Sequence, residues 1–293
     1  MLILIEKFLN HCKNQNKSPN TTKAYSRDLV LFVDYFKLTN ENVIDRLNVI
    51  TLEELYGFLE IRSNRSPATV ARIVSAIRSF YDFLHQFRYI KENVSVYLKQ
   101  PKKPKRLPKF LTQDESKDLL NSVDKVNSRF PERDYAILMT FLSTGIRVSE
   151  LVSINISDIN DGMLRVVGKG NAERYIPLSN SCQDAINQYL SVKRHYCGDA
   201  LFTTERKNRM QSNPVGLIVK KYLGAIGKEG LSTHKLRHTS ASTWIENGAD
   251  LLQVQELLGH KSVATTQVYT HINKDKLKDV VNNTIINKGN VLK

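Results

Sequence analysis

Forty-three lysines and arginines against 29 acidic residues give this 293-residue chain a formal charge of +14, the electrostatic footprint of a protein that meets a polyanion. Hydrophobic residues, at 41%, permit ordinary cores, and the length predicts two domains. Cys12, Cys182 and Cys197 are odd in number and lack Cys-x-x-Cys spacing, which excludes a disulfide framework and points to a reducing cytoplasm; the apolar run Leu2 to Ile5 ends at Glu6, far short of a signal or membrane-spanning segment.

In chain order, residues 1–98 read as all helical. Ser18-Pro19-Asn20-Thr21 and Ser66-Pro67-Ala68-Thr69 each set a capping serine before a proline at the first helical position. Apolar residues then recur at helical spacing, first Tyr25, Leu29, Phe32, Val33 and Phe36, then Val70, Ile73, Val74, Ile77, Phe80, Tyr81 and Leu84. These mark helix starts and not an internal repeat. Lys23, Arg27, Arg65, Arg72 and Arg78 are candidate phosphate or base contacts, although charges on such helices ordinarily face water.

Residues 99–110 form the predicted boundary. From Lys99 to Lys109 the chain has three prolines, six basic residues and no apolar period, so it reads as an extended linker. Lys102, Lys103, Lys105 and Arg106 are candidate backbone contacts for a strap along a duplex; a merely solvated linker is the plain alternative. A capping box at Thr112 and Glu115 then opens a second domain, predicted over 111–273. Helices are predicted over Tyr135 to Ser143 and around Ser181 to Arg194. Between them lies a hairpin over 163–178, with strands Leu164 to Val167 and Arg174 to Leu178 and Lys169 at its tip. The fold class is mainly α with a small antiparallel sheet.

The chemistry-bearing residues fall in this second domain. Arg147 precedes Glu150 by three, a spacing that is usually a surface ion pair, and Gly145 close before it allows a sharp turn or the approach of a ligand. His234 and Arg237, three apart in His-Lys-Leu-Arg-His, project from one helix face. Gly259 reads as the stop of a helix carrying Leu251, Leu252, Val254, Leu257 and Leu258, and His260 follows it. Ser262 then caps a short helix from Val263 to Thr270 that carries Tyr269. His238 and His271 read as hydrogen-bonded core residues.

Two other chemistries fail on spacing. Gly162 and Gly168 are separated by five intervening residues where a P-loop has four, and Gly170 follows Lys169 where Ser or Thr is required. His234 and His238 have zinc spacing, but Lys235 replaces the glutamate of His-Glu-x-x-His and Arg237 adds a cation. Neither a metal nor any other cofactor is expected. Two arginines, a lysine, two histidines and a tyrosine instead suit attack on a phosphodiester. Tyrosine, with a reference pKa of roughly 10, needs nearby positive charge or a base to act as nucleophile. Arg147 and Arg237 present planar forks for the phosphate oxygens of a pentacoordinate transition state, Lys169 can protonate the leaving 5′-oxygen, and His234 and His260 can hydrogen-bond the phosphate or move protons.

The segments Thr144-Gly-Ile-Arg-Val-Ser-Glu-Leu151, Val167-Gly-Lys-Gly-Asn171, His234-Lys-Leu-Arg-His-Thr239, Leu257-Leu-Gly-His-Lys-Ser262 and Tyr269-Thr-His271 resemble, in order and spacing, the tyrosine recombinases of the phage-integrase family, and most of all its Xer branch. The pattern Ser-x-x-Thr-x-x-x-Tyr-x-x-Asp-Leu from Ser18 to Leu29 is similar to that family's N-terminal core-binding domain. The resemblance implies Tyr269 as nucleophile, Arg147 and Arg237 as the arginine clamp, Lys169 as general acid, His234 and His260 as phosphate and proton-transfer partners, and Glu150 as the acidic residue that orients the site. Ala172 departs from the pattern where a further lysine is frequent.

The same resemblance implies a two-domain, C-shaped clamp on duplex DNA, a 3′-phosphotyrosyl intermediate and a Holliday junction. It further implies short inverted-repeat core sites and a homo-tetramer on two sites, or a hetero-tetramer with a second recombinase, with a DNA translocase or accessory protein as a further partner. The biological role is then resolution of chromosome or plasmid dimers, or movement of a mobile element. Residues 274–293, where Leu277, Val280, Val281 and Ile285 recur at helical spacing, become the tail helix exchanged between protomers. Type IB topoisomerase-like relaxation and a non-catalytic DNA-binding protein are the alternatives.

Overall fold

The computed structural model describes residues 2–38, 42–62, 64–101, 110–168, 172–192 and 198–259. The chain divides into two compact units, residues 1–106 and 107–293.

The described residues of the first unit form helices joined by turns: α1 (Leu2–Asn14), α2 (Pro19–Phe36), α3 (Val43–Val49), α4 (Leu52–Glu60) and α5 (Pro67–Gln86), followed by a short 3₁₀ turn (Val94–Tyr97). The caps of α2 and α5 are as the sequence predicts. Ser18 Oγ accepts from the Thr21 amide at 3.1 Å and Ser66 Oγ from the Thr69 amide at 3.2 Å, each with a proline in the first turn. Both helices bury the apolar stripe read from their periodicity. Phe32 of α2 lies at its centre, edge-on to Phe58 of α4 at 5.5 Å and to Tyr81 of α5 at 6.2 Å. Asp28, buried on the same helix, pairs with Arg72 and ties α2 to α5.

The second unit begins with α6 (Gln113–Lys125), whose Thr112–Glu115 capping box is present in both directions. Helix α7 (Pro131–Thr144) is buried nearly all round, from Ala136 to Leu142, because α6 and two later helices pack around it. The chain continues through α8 (Val148–Ser153) into an antiparallel meander of β1 (Ile159–Asn160), β2 (Met163–Val167) and β3 (Glu173–Pro177). Asp161 and Gly162, at φ +48° and +71°, make the two-residue turn between β1 and β2, a conformation that Asp-Gly favours. Strands β2 and β3 pair Leu164 with Ile176 and Val166 with Arg174, so Arg174 lies on the sheet's buried face. Among the described residues the sheet is followed by α9 (Asn180–Val192), α10 (Ser212–Ala225), α11 (Thr233–Glu246) and α12 (Leu251–Leu258).

Helices α9 and α11 flank α7, and Trp244 of α11 is fully buried in this core. Gly259 closes α12 at φ +63°, as its position predicts. No helix among the described residues is long and apolar enough to cross a membrane.

Candidate active site

Helix α7 must stop sharply for Arg147 to be presented. Gly145 does this at φ +57°, and a Cβ there would lie 3.0 Å from Leu258, 3.2 Å from Trp244 and 3.3 Å from Ser240. Both the backbone and the crowding require glycine, which makes the sharp turn. Arg147 then starts α8 in extended conformation. Glu150, one turn on, reaches back: its Oε2 accepts from the Arg147 amide at 2.9 Å and its Oε1 from Arg147 Nη1 at 2.8 Å. This differs from a surface ion pair in one decisive respect, because the Glu150 side chain is only 4% exposed while that of Arg147 is 43% exposed.

Two further guanidinium groups converge on the same carboxylate. Arg174 of β3, 13% exposed, places Nη1 3.2 Å from Oε1 and Nη2 2.8 Å from Oε2, and its Nε donates to the Leu257 carbonyl at 3.0 Å. Arg237 of α11, 4% exposed, lies 3.9 Å from Oε2; its Nη1 donates to the Gly145 carbonyl at 2.9 Å and its Nη2 to the Leu258 carbonyl at 2.5 Å. Three cations thus share one anion. Burial alone would raise the Glu150 pKa, but hydrogen bonds from Arg174 and the Arg147 amide outweigh it and hold the carboxyl below its ordinary value. Burial, aided by the charge of Arg147, brings Arg237 down to about 10, which leaves it charged at neutral pH.

His234 stands one turn before Arg237 on the same face of α11, as the three-residue spacing predicts. Partial burial and the charges of Arg237, Lys235 and Arg147 lower its pKa, favouring the neutral imidazole at pH 7. His238 departs from the sequence reading. It is exposed and not in the core, its ring edge-on to that of His234 at 4.9 Å, because the helix turns residue 238 toward the same open face.

The structure therefore brings together Arg147, Glu150, His234 and Arg237. Lys169, His260, Tyr269, the linker residues Lys102, Lys103, Lys105 and Arg106, and the tail lie outside the described residues. Lys23 and Arg27 are exposed on α2, four residues apart on one face, whereas Arg72 is engaged by Asp28. Arg174 is the residue that sequence reading missed. Its signal was strand alternation: it shares parity with the buried Ile176, so an arginine there must find a partner inside. Among the described residues no three His, Cys, Asp or Glu side chains gather as a metal-ligating set.

An excess of positive charge, partly buried and held on rigid elements, is built to receive an anion with several oxygens. Two family models cover the chain accordingly: the phage integrase family over residues 109–276, and the phage integrase N-terminal SAM-like domain over residues 5–86. The chain belongs to the phage integrase family, the tyrosine recombinases, and is a DNA strand-transferring enzyme.

Its curated relatives include the tyrosine recombinase XerC of Caldanaerobacter subterraneus subsp. tengcongensis, 41% identical over 95% of this chain and 86% of that protein. Tyrosine recombinase XerD of Oceanobacillus iheyensis is 35% identical over 94% and 96%. Among solved structures, XerH recombinase bound to its difH substrate matches with a TM-score of 0.67 at 23% identity, over 94% of this chain and 83% of that one. A lambda integrase dimer bound to a COC′ core site matches with a TM-score of 0.69 at 19% identity, over 89% and 95%. These two likenesses establish the shared fold.

Proposed function

We propose that the chain is an Xer-like site-specific recombinase in which Arg147 and Arg237 hold the scissile phosphate and Tyr269 attacks it. The Tyr269 oxygen bonds to phosphorus as its phenolic proton passes to a neutral histidine, His234 or His260, the bond from phosphorus to O5′ breaks, and Lys169 delivers a proton to the departing O5′. A 3′-phosphotyrosyl ester and a free 5′-hydroxyl result. The 5′-hydroxyl of a partner duplex then attacks the ester and regenerates the tyrosine. Because the ester keeps the bond energy, no nucleotide is consumed. His234, neutral at pH 7, and His260 hydrogen-bond the phosphate or carry protons.

The observation that carries this reading is the cluster of three arginines on Glu150, with Arg147 still exposed to a ligand. The partner is duplex DNA with short inverted-repeat core sites, held by the linker lysines and by Lys23 and Arg27; relatives solved on DNA core sites, one as a tetramer on a Holliday junction, support this. A tetramer, of this chain alone or with a second recombinase, completes two strand exchanges, with the 274–293 segment passed between protomers. Resolution of chromosome or plasmid dimers is the favoured role. Cys12 and Cys182, both buried free thiols, suit a reducing cytoplasm.

The test is to incubate wild type and Tyr269→Phe with genomic or plasmid fragments, in chelator and without nucleotide, and to sequence the DNA in trapped covalent adducts. Adducts at one inverted-repeat site, from wild type only, are expected. Adducts scattered without sequence preference would point to topoisomerase-like relaxation, and adducts from Tyr269→Phe would contradict the assigned nucleophile.

A further inference from the structure

We propose that Arg174 is a positioning residue for phosphoryl transfer, one that occupies Glu150 so that the exposed Arg147 stays available to the phosphate. The inference rests on the arginine-clamp reading above.

The geometry gives Arg174 a job no neighbour can take. Its fork meets both oxygens of Glu150, at 3.2 and 2.8 Å, so the carboxylate is held by β3 as well as by α8. Arg147 donates only one side-chain bond to that carboxylate, to Oε1. Without Arg174, Glu150 would have a single close guanidinium partner and would be free to turn onto Arg147 in the bidentate geometry that arginine and carboxylate favour. That turn would neutralise the exposed cation. Arg174 also donates to the Leu257 carbonyl near the end of α12, while Arg237 holds the adjacent Leu258 carbonyl. One guanidinium thus fixes the β-hairpin, the carboxylate and the helix end that precedes His260.

Gly259 makes room for it. A Cβ on Gly259 would lie 3.0 Å from Arg174 Cδ, 3.2 Å from Nη1 and 3.3 Å from Nε, so the arginine passes directly against the glycine backbone on its way to Glu150. A lysine at 174 keeps the charge and loses the fork.

The test uses the full chain with Arg174→Lys and Arg174→Met, and Arg147→Ala as control. Single-turnover adduct formation is measured on the duplex recovered by adduct mapping, carrying either a normal phosphate or a neutral methylphosphonate at the scissile position. On phosphate, both Arg174 variants are expected to lose about tenfold or more in rate, with DNA affinity within about threefold of wild type. On methylphosphonate, where no second anionic oxygen needs cations, the deficit shrinks to less than about threefold, as it does for Arg147→Ala. A purely structural role predicts equal deficits on both substrates and overturns the proposal, as does an Arg174→Lys variant with wild-type rate.

If Arg147→Ala is rescued and Arg174→Lys is not, the positioning role alone falls. If neither is rescued, the clamp itself is contradicted. If Arg174→Met does not fold, Arg174→Lys carries the test. A second readout needs no target site: inorganic phosphate should raise the melting temperature of wild type more than that of Arg174→Lys, and equal gains overturn the proposal.

Discussion

Arg237 keeps its charge in a buried setting because its hydrogen bonds are spent on two carbonyls that mark the ends of α7 and α12. Its neighbour Glu150 is the hinge of the site's pH response. A carboxyl whose native pKa lies below its unfolded value of about 4.3 stabilises the fold fully above that value and loses the contribution as pH falls through the native pKa. His234 has the same sign, because its imidazole pKa is also lowered in the fold. Its contribution is complete above about pH 6.5 and erodes on acidification from there. Stability should therefore fall on acidification, with Glu150 and His234 contributing beside Glu54, Glu115 and Asp199, whose carboxyls are also held below their ordinary values. Glu150→Gln is expected to flatten the acid limb and to lower stability at pH 7 by roughly 3 kcal/mol or more, since three guanidinium groups lose their shared anion. An unchanged acid limb in Glu150→Gln would show that the carboxylate is not the titrating group.

At the scale of elements, what was legible in the sequence was local. The Ser-Pro starts of α2 and α5, the Thr112–Glu115 box and the Gly259 stop each depend on residues three or four apart, and each is present. What was not legible depends on contacts that only the packed fold creates. Arg174 meets Glu150 across 24 residues and Arg72 meets Asp28 across 44, so neither arginine's partner could be read from spacing. His238 is a different case, because its signal was local: four residues after His234, it falls on the same open face of α11 and not in the core.

The local devices have local costs. Thr112→Ala removes one half of the capping box of α6 and should cost about 1 kcal/mol by denaturant titration. Gly259→Ala forces a side chain into left-handed backbone and against Arg174, so it should cost at least ~1–2 kcal/mol and slow adduct formation as well. Full activity in that variant would show that Arg174 is free to move.

For the whole molecule, the +14 charge predicts DNA affinity that falls steeply with salt, log affinity declining in proportion to log salt with one unit of slope for roughly each phosphate neutralised. Replacing Lys102, Lys103, Lys105 and Arg106 together with glutamine should reduce that slope by up to about four while leaving site preference intact. An unchanged slope would remove the linker from the interface. Truncation after residue 273 should abolish cooperative binding and strand exchange while sparing DNA binding by single protomers; full exchange by the truncated chain would contradict protomer linkage through the tail.

The recombinase chemistry rests on a covalent bond to DNA. The most direct measurement is to trap the adduct without metal or nucleotide, digest it, and locate the nucleotide by peptide mass spectrometry. A 3′-phosphonucleotide on Tyr269, absent when Arg147 is replaced by alanine, is the predicted result. A nucleotide on any other residue, or linked through its 5′-phosphate, would contradict the account.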